Sequence, residues 1–254
     1  MSKKAFFNNK LVDIDSLKIS PFDRGFMYGD GVFESLRTYN GKPFLLDEHL
    51  SRLEKDAKTI GIKISLTKEK LKAAVLKLIK VNGYKESYIK IIVTRGIAKQ
   101  HGLSIKNSQK SNLIILAEKQ EQEQKQEWII KISSIIKYKT PISHIKSLNY
   151  LENILAKKEA EEAGADEAIL LSPEGYVTEG TISNIFMVKK GVLYTPPLSL
   201  GILPGITRSL VIRLAKKQGI KVRERFFTIK DLKKADEVFL TFSGRGIVHV
   251  RKII

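Results

Sequence analysis

The sequence predicts an α+β protein with two domains. Its 254 residues are 43% hydrophobic, which is enough to build a substantial buried core. Short apolar strands are interspersed with amphipathic helices in both halves of the chain. Residues 118–127 contain no apolar side chain, which is typical of a linker. We therefore divide the chain into a small domain over residues 1–118, a linker over 119–127 and a second domain over 128–254.

The small domain contains strand and helix patterns in alternation. Apolar runs predict strands near 11–13, 32–37 and 88–93. Apolar residues recur with the spacing of an α-helix near 47–60 and 67–81. Together these patterns indicate an α+β unit.

The second domain is richer in strands. We predict a helix over 149–163, because Leu151, Ile154, Leu155 and Ala156 form an apolar stripe and Gly164 follows as a stop. A second helix follows Pro204 and ends near residue 218. The predicted strands of this domain lie near 128–138, 168–172, 176–179, 184–188, 192–195, 220–227, 237–242 and 246–250.

Composition excludes several kinds of chemistry. The chain has no cysteine, so disulfides, thiolate nucleophiles and cysteine-ligated zinc are ruled out, and we predict no metal site. The N-terminus reaches Asn8 and Asn9 before any apolar stretch of signal-peptide length develops. We therefore expect a cytoplasmic protein with no membrane partner.

The positive charge raises the possibility of a nucleic-acid partner. Lys and Arg outnumber Asp and Glu by 45 to 27, for a formal net charge of +18. The basic residues are spread evenly, and no zinc-finger, helix-turn-helix or RNP-type aromatic motif accompanies them. This pattern favours a solvated lysine-rich surface. A basic nucleic-acid-binding protein remains the alternative of a different functional class.

Four places in the sequence can carry chemistry, and each also has a purely structural interpretation. Lys146 follows an apolar segment and precedes a helix, although an isolated lysine is usually a surface residue. Glu179 ends a strand and is either a site acid or an ordinary strand-end residue. Residues 203–208 open a helix whose N-terminus suits a phosphate, or they form a plain turn. Arg52 lies on a helix, where it can also pair with a nearby acid.

The order and wording of the motifs resemble those of the class IV (fold-type IV) pyridoxal-phosphate enzymes, along nearly the whole chain. The matching segments are SPFDRGFMYGDGVFE at 20–34, FLLDEHLSRL at 44–53, VTRG at 93–96, IKSLNYL at 145–151, VTEGTISNIF at 177–186, YTPP at 194–197, GILPGITR at 201–208 and ADEVF at 235–239. The resemblance implies a small α/β domain joined to a larger domain built on a pseudo-barrel, with pyridoxal 5′-phosphate as cofactor. The second domain is then expected to carry the cofactor lysine.

The resemblance also implies roles for individual residues. Lys146 matches the catalytic lysine that bonds to the cofactor aldehyde and then moves a proton during the reaction. Glu179 matches the acid that pairs with the pyridine nitrogen. Tyr150 matches a residue near the ring hydroxyl. The residues that match positions around the cofactor phosphate are Arg52, Ile206, Thr207, Ser243 and Gly244.

Family members are usually homodimers, and the loop that follows the segment of Arg95 reaches the neighbouring active site. In this chain that loop covers residues 96–102. Arg245 either adds a positive charge near the substrate carboxylate or faces solvent. The residues predicted to bind substrate are Phe33, Arg37, Arg95, His101 and Arg245, of which Arg245 lies in a turn that departs from the family pattern.

The family contains three activities that use the same cofactor machinery. Phe33 and Arg37 resemble the branched-chain branch, which favours an aminotransferase that moves an amino group between a branched-chain L-amino acid or glutamate and a 2-oxo acid. The segments around Lys146 and Glu179 resemble both the D-specific branch and the aminodeoxychorismate lyases, which release pyruvate to leave 4-aminobenzoate for folate synthesis. D-amino-acid aminotransferases usually have a tyrosine at the position of Phe33 and an Arg-x-His loop, whereas this chain has Lys99-Gln100-His101.

Overall fold

A computed structural model describes residues 3–99, 102–108, 110–120 and 127–254. The chain forms two compact units. The first consists of Met1–Gln122 with Ile145–Asn149, and the second of Glu123–His144 with Tyr150–Ile254. Both units combine helices with sheets, which confirms the predicted α+β class.

The first unit is a six-stranded antiparallel sheet with helices on one face. Its strands are β1 (Lys4–Phe7), β2 (Lys10–Asp13), β3 (Gly31–Tyr39), β4 (Lys42–Pro43), β5 (Ser87–Thr94) and β6 (Asn112–Lys119), in the order β2-β1-β6-β5-β3-β4. Its helices are α1 (Arg24–Tyr28), α2 (Leu46–Thr59) and α3 (Lys68–Asn82). In β5, alternate residues Ile89, Ile91 and Val93 are buried in one cluster with side chains of α2 and α3. The alternation leaves Phe33 on the sheet face that points away from that core.

The second unit is a six-stranded barrel with two additional strands. Its strands are β7 (Glu127–Ile136), β8 (Glu167–Leu171), β9 (Val177–Gly180), β10 (Asn184–Lys189), β11 (Val192–Thr195), β12 (Val222–Glu224), β13 (Glu237–Phe242) and β14 (Gly246–Ile253). The sheet order is β12-β11-β10-β13-β14-β7-β8-β9, and a further pairing of β9 with β10 closes the ring. The helices are α4 (Leu151–Glu162), α5 (Ile206–Lys217) and α6 (Ile229–Lys233). This closure confirms the predicted barrel-based second domain.

The predicted long helices agree with the structure to within about two residues at each end. Helices α1 and α6 were not predicted, because five residues are too few to show a helical period. Strand β6 runs to Lys119 and β7 starts at Glu127, so both strands extend into the predicted linker. Residues 121–126 of that linker lie outside the described part of the chain.

The segment Ile145–Asn149 belongs to the first unit, whereas the sequence analysis assigned Lys146 to the second domain. The backbone explains this difference. The Phe33 N–H donates to the Lys146 carbonyl at 2.9 Å, and the Leu148 N–H donates to the Gly31 carbonyl at 3.0 Å. The segment therefore pairs with β3 as a short extra strand, although it is distant from β3 in sequence.

The apolar stripe of α4 predicts the helix correctly but does not mark its buried face. Ala156 and Ala160 are buried, whereas Leu151, Ile154 and Leu155 are 69%, 60% and 46% exposed.

Among the described residues, no helix is both long enough and apolar enough to cross a membrane.

Candidate active site

Both backbone polar groups of Lys146, the N–H and the carbonyl, form hydrogen bonds. Its N–H donates to Oδ2 of Asp56 at 2.9 Å, and its carbonyl accepts the Phe33 N–H at 2.9 Å. The half-buried side chain places Nζ 4.4 Å from the centre of the Phe33 ring. An ammonium at this distance from an aromatic face is attracted by it. The backbone contacts and the ring together restrict where the amino group can lie.

Glu34 lies on β3 next to Phe33 but faces the opposite side, toward α2, where it is fully buried. Nε and Nη2 of Arg52 donate to its two oxygens at 2.5 and 2.9 Å, and Nδ1 of His49 lies 2.7 Å from Oε2. Burial alone would raise the pKa of Glu34, but the charge of Arg52 and the hydrogen bonds from His49 and Arg52 lower this pKa to about 2. Glu34 therefore stays ionised and fixes the plane of the Arg52 guanidinium.

Asp56 continues the same polar face of α2. It lies four residues after Arg52 and seven after His49, so the three side chains project from one side of the helix. Its burial raises the pKa of Asp56 above the ordinary aspartate value, and the Lys146 N–H offsets this only in part. Helix α2 thus connects the predicted phosphate arginine to the backbone of the predicted catalytic lysine.

Arg95, a predicted substrate residue, is occupied by contacts within the protein. Nε donates to Asp30 at 2.7 Å, while Nη1 and Nη2 donate to the carbonyls of Gly61 and Ile60 at 3.1 and 2.7 Å. Asp30 also accepts from Nε of Arg24. Burial raises the pKa of Asp30, but the hydrogen bonds from the two arginines outweigh this effect and lower it. This geometry favours a structural role for Arg95 over the predicted substrate contact.

Arg37, another predicted substrate residue, is not brought to Lys146. Arg37 pairs with Glu86 at 3.3 Å, and its guanidinium lies 4.2 Å from the centre of the Tyr39 ring. It is four residues from Phe33 along β3, a separation of about 13 Å. His101 lies outside the described residues.

In the second unit, Glu179 connects the barrel to the start of α5. Its carboxylate is almost completely buried at the end of β9. Oε1 lies 3.0 Å from Nζ of Lys137, and Oε2 accepts the Leu203 N–H at 2.9 Å. Because Leu203 precedes the first residue of α5 by three positions, this hydrogen bond brings the predicted pyridine-binding acid close to the predicted phosphate cradle.

The N-terminus of α5 depends on a glycine. Gly205 is the N-cap, and a Cβ at this position would lie 2.0 Å from Oδ1 of Asn184. The Asn184 amide donates to the Leu203 carbonyl at 3.0 Å and so fixes the same turn. The N–H groups of Ile206 and Thr207 have no carbonyl partner within the helix, and such groups bind anions readily.

The remaining predicted residues also lie in the second unit. Tyr150 is the N-cap of α4. Ser243, Gly244 and Arg245 form the turn between β13 and β14. The guanidinium of Arg245 lies 5.4 Å from the centre of the Trp128 ring, so it contacts an aromatic side chain of its own unit.

Sequence reasoning assigned no role to Asp56, Lys137 or Asn184. The polar face of α2 was detectable, because His49, Arg52 and Asp56 recur at helical spacing within the period of buried leucines. Lys137 had no such signal, since it is one of many lysines in a basic chain.

Comparisons with known proteins show the family to which the chain belongs. The family model for amino-transferase class IV matches residues 31–253. A putative branched-chain-amino-acid aminotransferase of Methanocaldococcus jannaschii is 44% identical, over 98% of this chain and 88% of that protein. A D-alanine aminotransferase of Bacillus licheniformis is 37% identical over 98% of this chain and 88% of its own length. An aminodeoxychorismate lyase of Bacillus subtilis is 34% identical over 98% of this chain and 86% of its own length.

Solved structures of aminotransferases have the same fold as this chain. The crystal structure of a branched-chain aminotransferase from Thermoproteus uzoniensis superposes with a TM-score of 0.94 and 34% identity, covering 100% of this chain and 88% of that one. This similarity extends over both the six-stranded sheet and the barrel. The chain belongs to the class IV aminotransferases, a family of pyridoxal-phosphate-dependent enzymes.

Proposed function

We propose that this protein is a pyridoxal-phosphate-dependent aminotransferase that moves an amino group between a branched-chain L-amino acid, or glutamate, and a 2-oxo acid. The observation that carries the proposal is the anchoring of Lys146. Its backbone is fixed by Asp56 and Phe33, and its amino group lies against the Phe33 ring. A lysine that serves only as a solvated surface charge needs no such constraint.

The residues present fit pyridoxal phosphate. A buried carboxylate such as Glu179 suits a protonated pyridine nitrogen, and the glycine-capped start of α5 suits a phosphate. Arg52 offers a guanidinium whose orientation Glu34 already sets. We therefore assign Glu179 to the ring nitrogen and assign Arg52 and Thr207, together with the neighbouring Ile206 N–H, to the phosphate.

The remaining predicted contacts stay part of the proposal. We assign Tyr150 to the ring hydroxyl and the turn that contains Ser243 and Gly244 to the phosphate. Phe33 and Arg245 are proposed to face the substrate. Arg245 then supplies a positive charge near the substrate carboxylate, and its contact with Trp128 limits where that charge can lie.

When bound, the cofactor supplies an aldehyde that bonds to amines and a ring that accepts electrons from the substrate Cα. Lys146 Nζ would hold the cofactor. As a free amine, Lys146 would serve as the base that moves a proton at the substrate Cα. Glu179 would favour a protonated pyridine nitrogen, and the Phe33 ring, 4.4 Å from Nζ, would cover one side of the amine.

The relatives support this choice of substrate class over its two alternatives. The 44% identical relative bears the name of a branched-chain enzyme, whereas the D-alanine aminotransferase and the lyase are 37% and 34% identical. The cofactor machinery is common to the three activities, so it does not distinguish between them. D-Alanine transfer and lyase activity are accordingly alternative outcomes of the test.

We further propose that the active form is a homodimer. Leu151, Ile154 and Leu155 of α4 are all largely exposed in the single chain, and so is the neighbouring Ile182. The Asn153 amide donates to the Thr181 carbonyl and fixes Ile182 beside this helix. An apolar patch of this kind is typical of a surface that another chain covers.

The proposal is tested by mixing the purified protein with pyridoxal phosphate and recording its visible absorption. We expect a band that borohydride removes, with the cofactor mass then found on the peptide that contains Lys146. L-Leucine or L-glutamate should bleach the band, and a 2-oxo acid should restore it. Lys146→Ala should abolish the band, whereas Lys158→Ala, at an exposed position on α4, should preserve it.

Other outcomes would change the assignment. Bleaching by D-alanine alone would make the protein a D-amino-acid aminotransferase. Formation of pyruvate and 4-aminobenzoate from aminodeoxychorismate alone would make it a lyase. If the wild-type protein shows no band at all, the cofactor assignment is wrong. Sedimentation of the same samples measures whether the chain is a dimer.

A further inference from the structure

We propose that Asp56 is a positioning residue for Lys146: by accepting the N–H of this lysine, its buried carboxylate fixes the backbone from which the reactive amine projects. The inference rests on the proposed function, because it takes Lys146 as the lysine that holds the cofactor. Asp56 itself is expected to contact neither cofactor nor substrate.

The contact is direct, and it completes the anchoring of Lys146. The Lys146 carbonyl accepts a hydrogen bond from the Phe33 N–H of β3. The Lys146 N–H is bound instead by Oδ2 of Asp56 at 2.9 Å. An N–H that is withdrawn from water without an acceptor is destabilising, so Asp56 is the residue that allows this segment to lie close to α2.

The burial of Asp56 indicates a specific role. The side chain is only 4% exposed, and removing a carboxylate from water is costly. The charged groups that act on it are Arg52 and Lys55, which favour its ionised form, and Glu34, which opposes it. The Lys146 N–H donates a hydrogen bond that partly offsets this cost, so the buried side chain and the lysine backbone stabilise each other.

The position on α2 connects two parts of the proposed site. Arg52 and Asp56 are separated by four residues and therefore project from the same side of the helix. Arg52 is the proposed phosphate ligand, and Asp56 holds the proposed cofactor lysine. A shift of this one helix would therefore displace both groups together, which makes α2 a common support for them.

Three substitutions at this position separate the acceptor from the charge. Asp56→Asn retains an oxygen that can accept the N–H. Asp56→Leu has a similar volume but no acceptor, and Asp56→Ala removes the acceptor and leaves space. The matched control is Asp47→Ala, because Asp47 lies on the same helix but is exposed and pairs with Lys72 at 2.7 Å.

Each variant is mixed with pyridoxal phosphate, and three quantities are measured: the rate at which the cofactor becomes reducible by borohydride on Lys146, and the kcat and the KM for transamination. We expect Asp56→Leu and Asp56→Ala to lower the trapping rate and kcat by about 10- to 100-fold, because small misplacements of a reacting group are costly. KM should change by less than about threefold. Asp56→Asn and Asp47→Ala should stay within about threefold of the wild type.

Each result supports or overturns the inference. If Asp56→Leu and Asp56→Ala trap the cofactor at the wild-type rate, Asp56 does not position Lys146. If Asp56→Asn is as impaired as Asp56→Leu, the hydrogen bond is not the cause and the inference is also wrong. Urea unfolding identifies any variant that does not fold, and the remaining pair of variants still decides the matter. Failure of the wild type itself to form the adduct would instead contradict the proposed function, and this inference with it.

Discussion

The two units hold their candidate site residues by different physical means. In the first unit, Glu34, His49 and Arg52 form a buried cluster of titratable side chains whose energy depends on charge. In the second unit, Asn184 and Gly205 fix the start of α5 by an amide and by close backbone approach. The first arrangement should respond to pH and to the removal of a charge, whereas the second should respond to volume.

The largest effect is expected at Glu34. Glu34→Gln keeps the shape of the side chain but leaves the guanidinium of Arg52 without its buried counter-charge. Breaking a buried pair in this way typically costs about 3–5 kcal/mol of unfolding free energy. Urea denaturation of the variant and the wild type measures this difference.

The control for Glu34 is a partly exposed pair in the same unit. Glu86 pairs with Arg37 at 3.3 Å, and its side chain is 29% exposed. Glu86→Gln should cost less than about 1 kcal/mol, because water screens the pair. If the two variants lose equal stability, burial does not determine the strength of the Glu34 cluster.

The contribution of the buried Glu34 carboxylate should also make the stability of the fold depend on pH. The pKa of Glu34 is about 2 in the folded chain against an ordinary value of 4.5, so the carboxylate stabilises the fold above pH 4.5 and loses this contribution as the pH falls toward 2. The linked free energy is about 3 kcal/mol. Denaturation of the wild type across this range should show the loss, and Glu34→Gln should lack it. The contribution of Asp56 to stability changes with pH in the opposite direction. Because its pKa is raised in the folded chain, its ionisation at higher pH destabilises the fold.

The second unit is tested by adding a single methyl group. The backbone of Gly205 has φ −63° and ψ 136°, which any residue adopts, so Gly205→Ala changes only volume. The new Cβ would meet Oδ1 of Asn184, and overpacking of this kind costs about 1–3 kcal/mol.

A double-mutant cycle isolates the steric contact in that prediction. In the background of Asn184→Ala, the cost of Gly205→Ala should fall by about 1 kcal/mol or more, because the colliding atom is gone. The cost should also be independent of pH, unlike that of Glu34→Gln. An unchanged cost in the double mutant would place the strain elsewhere than at Asn184.

Much of this organisation could be predicted from the sequence. Helices α2 and α3 could be predicted because their apolar residues recur at the helical period over fourteen and fifteen residues. The start of α5 was marked by Pro204 and Gly205, whose backbone preferences are local. These features depend on residues close together in the chain.

The features that could not be predicted depend on long-range pairing. The placement of Lys146 in the first unit results from hydrogen bonds to Gly31 and Phe33, more than 100 positions earlier in the chain. Arg95 has the motif position of a substrate ligand, but its contacts with Asp30 and the end of α2 appear only when the chain is folded. Such long-range hydrogen bonds leave no periodic pattern in the sequence from which they could be predicted.

The smallest effect is expected for the ion pair between Lys137 and Glu179 in the second unit. Lys137 is the charged partner of Glu179, but its side chain is 18% exposed, and the acid also accepts the Leu203 N–H. Lys137→Met keeps the apolar stem and removes the charge, so the unfolding free energy should fall by about 1 kcal/mol or less. Lys158→Met at an exposed position on α4 provides the baseline for losing one lysine from a chain of charge +18. A loss as large as that of Glu34→Gln would mean that the second unit, like the first, is held by buried charge, and the distinction between the two units would no longer stand.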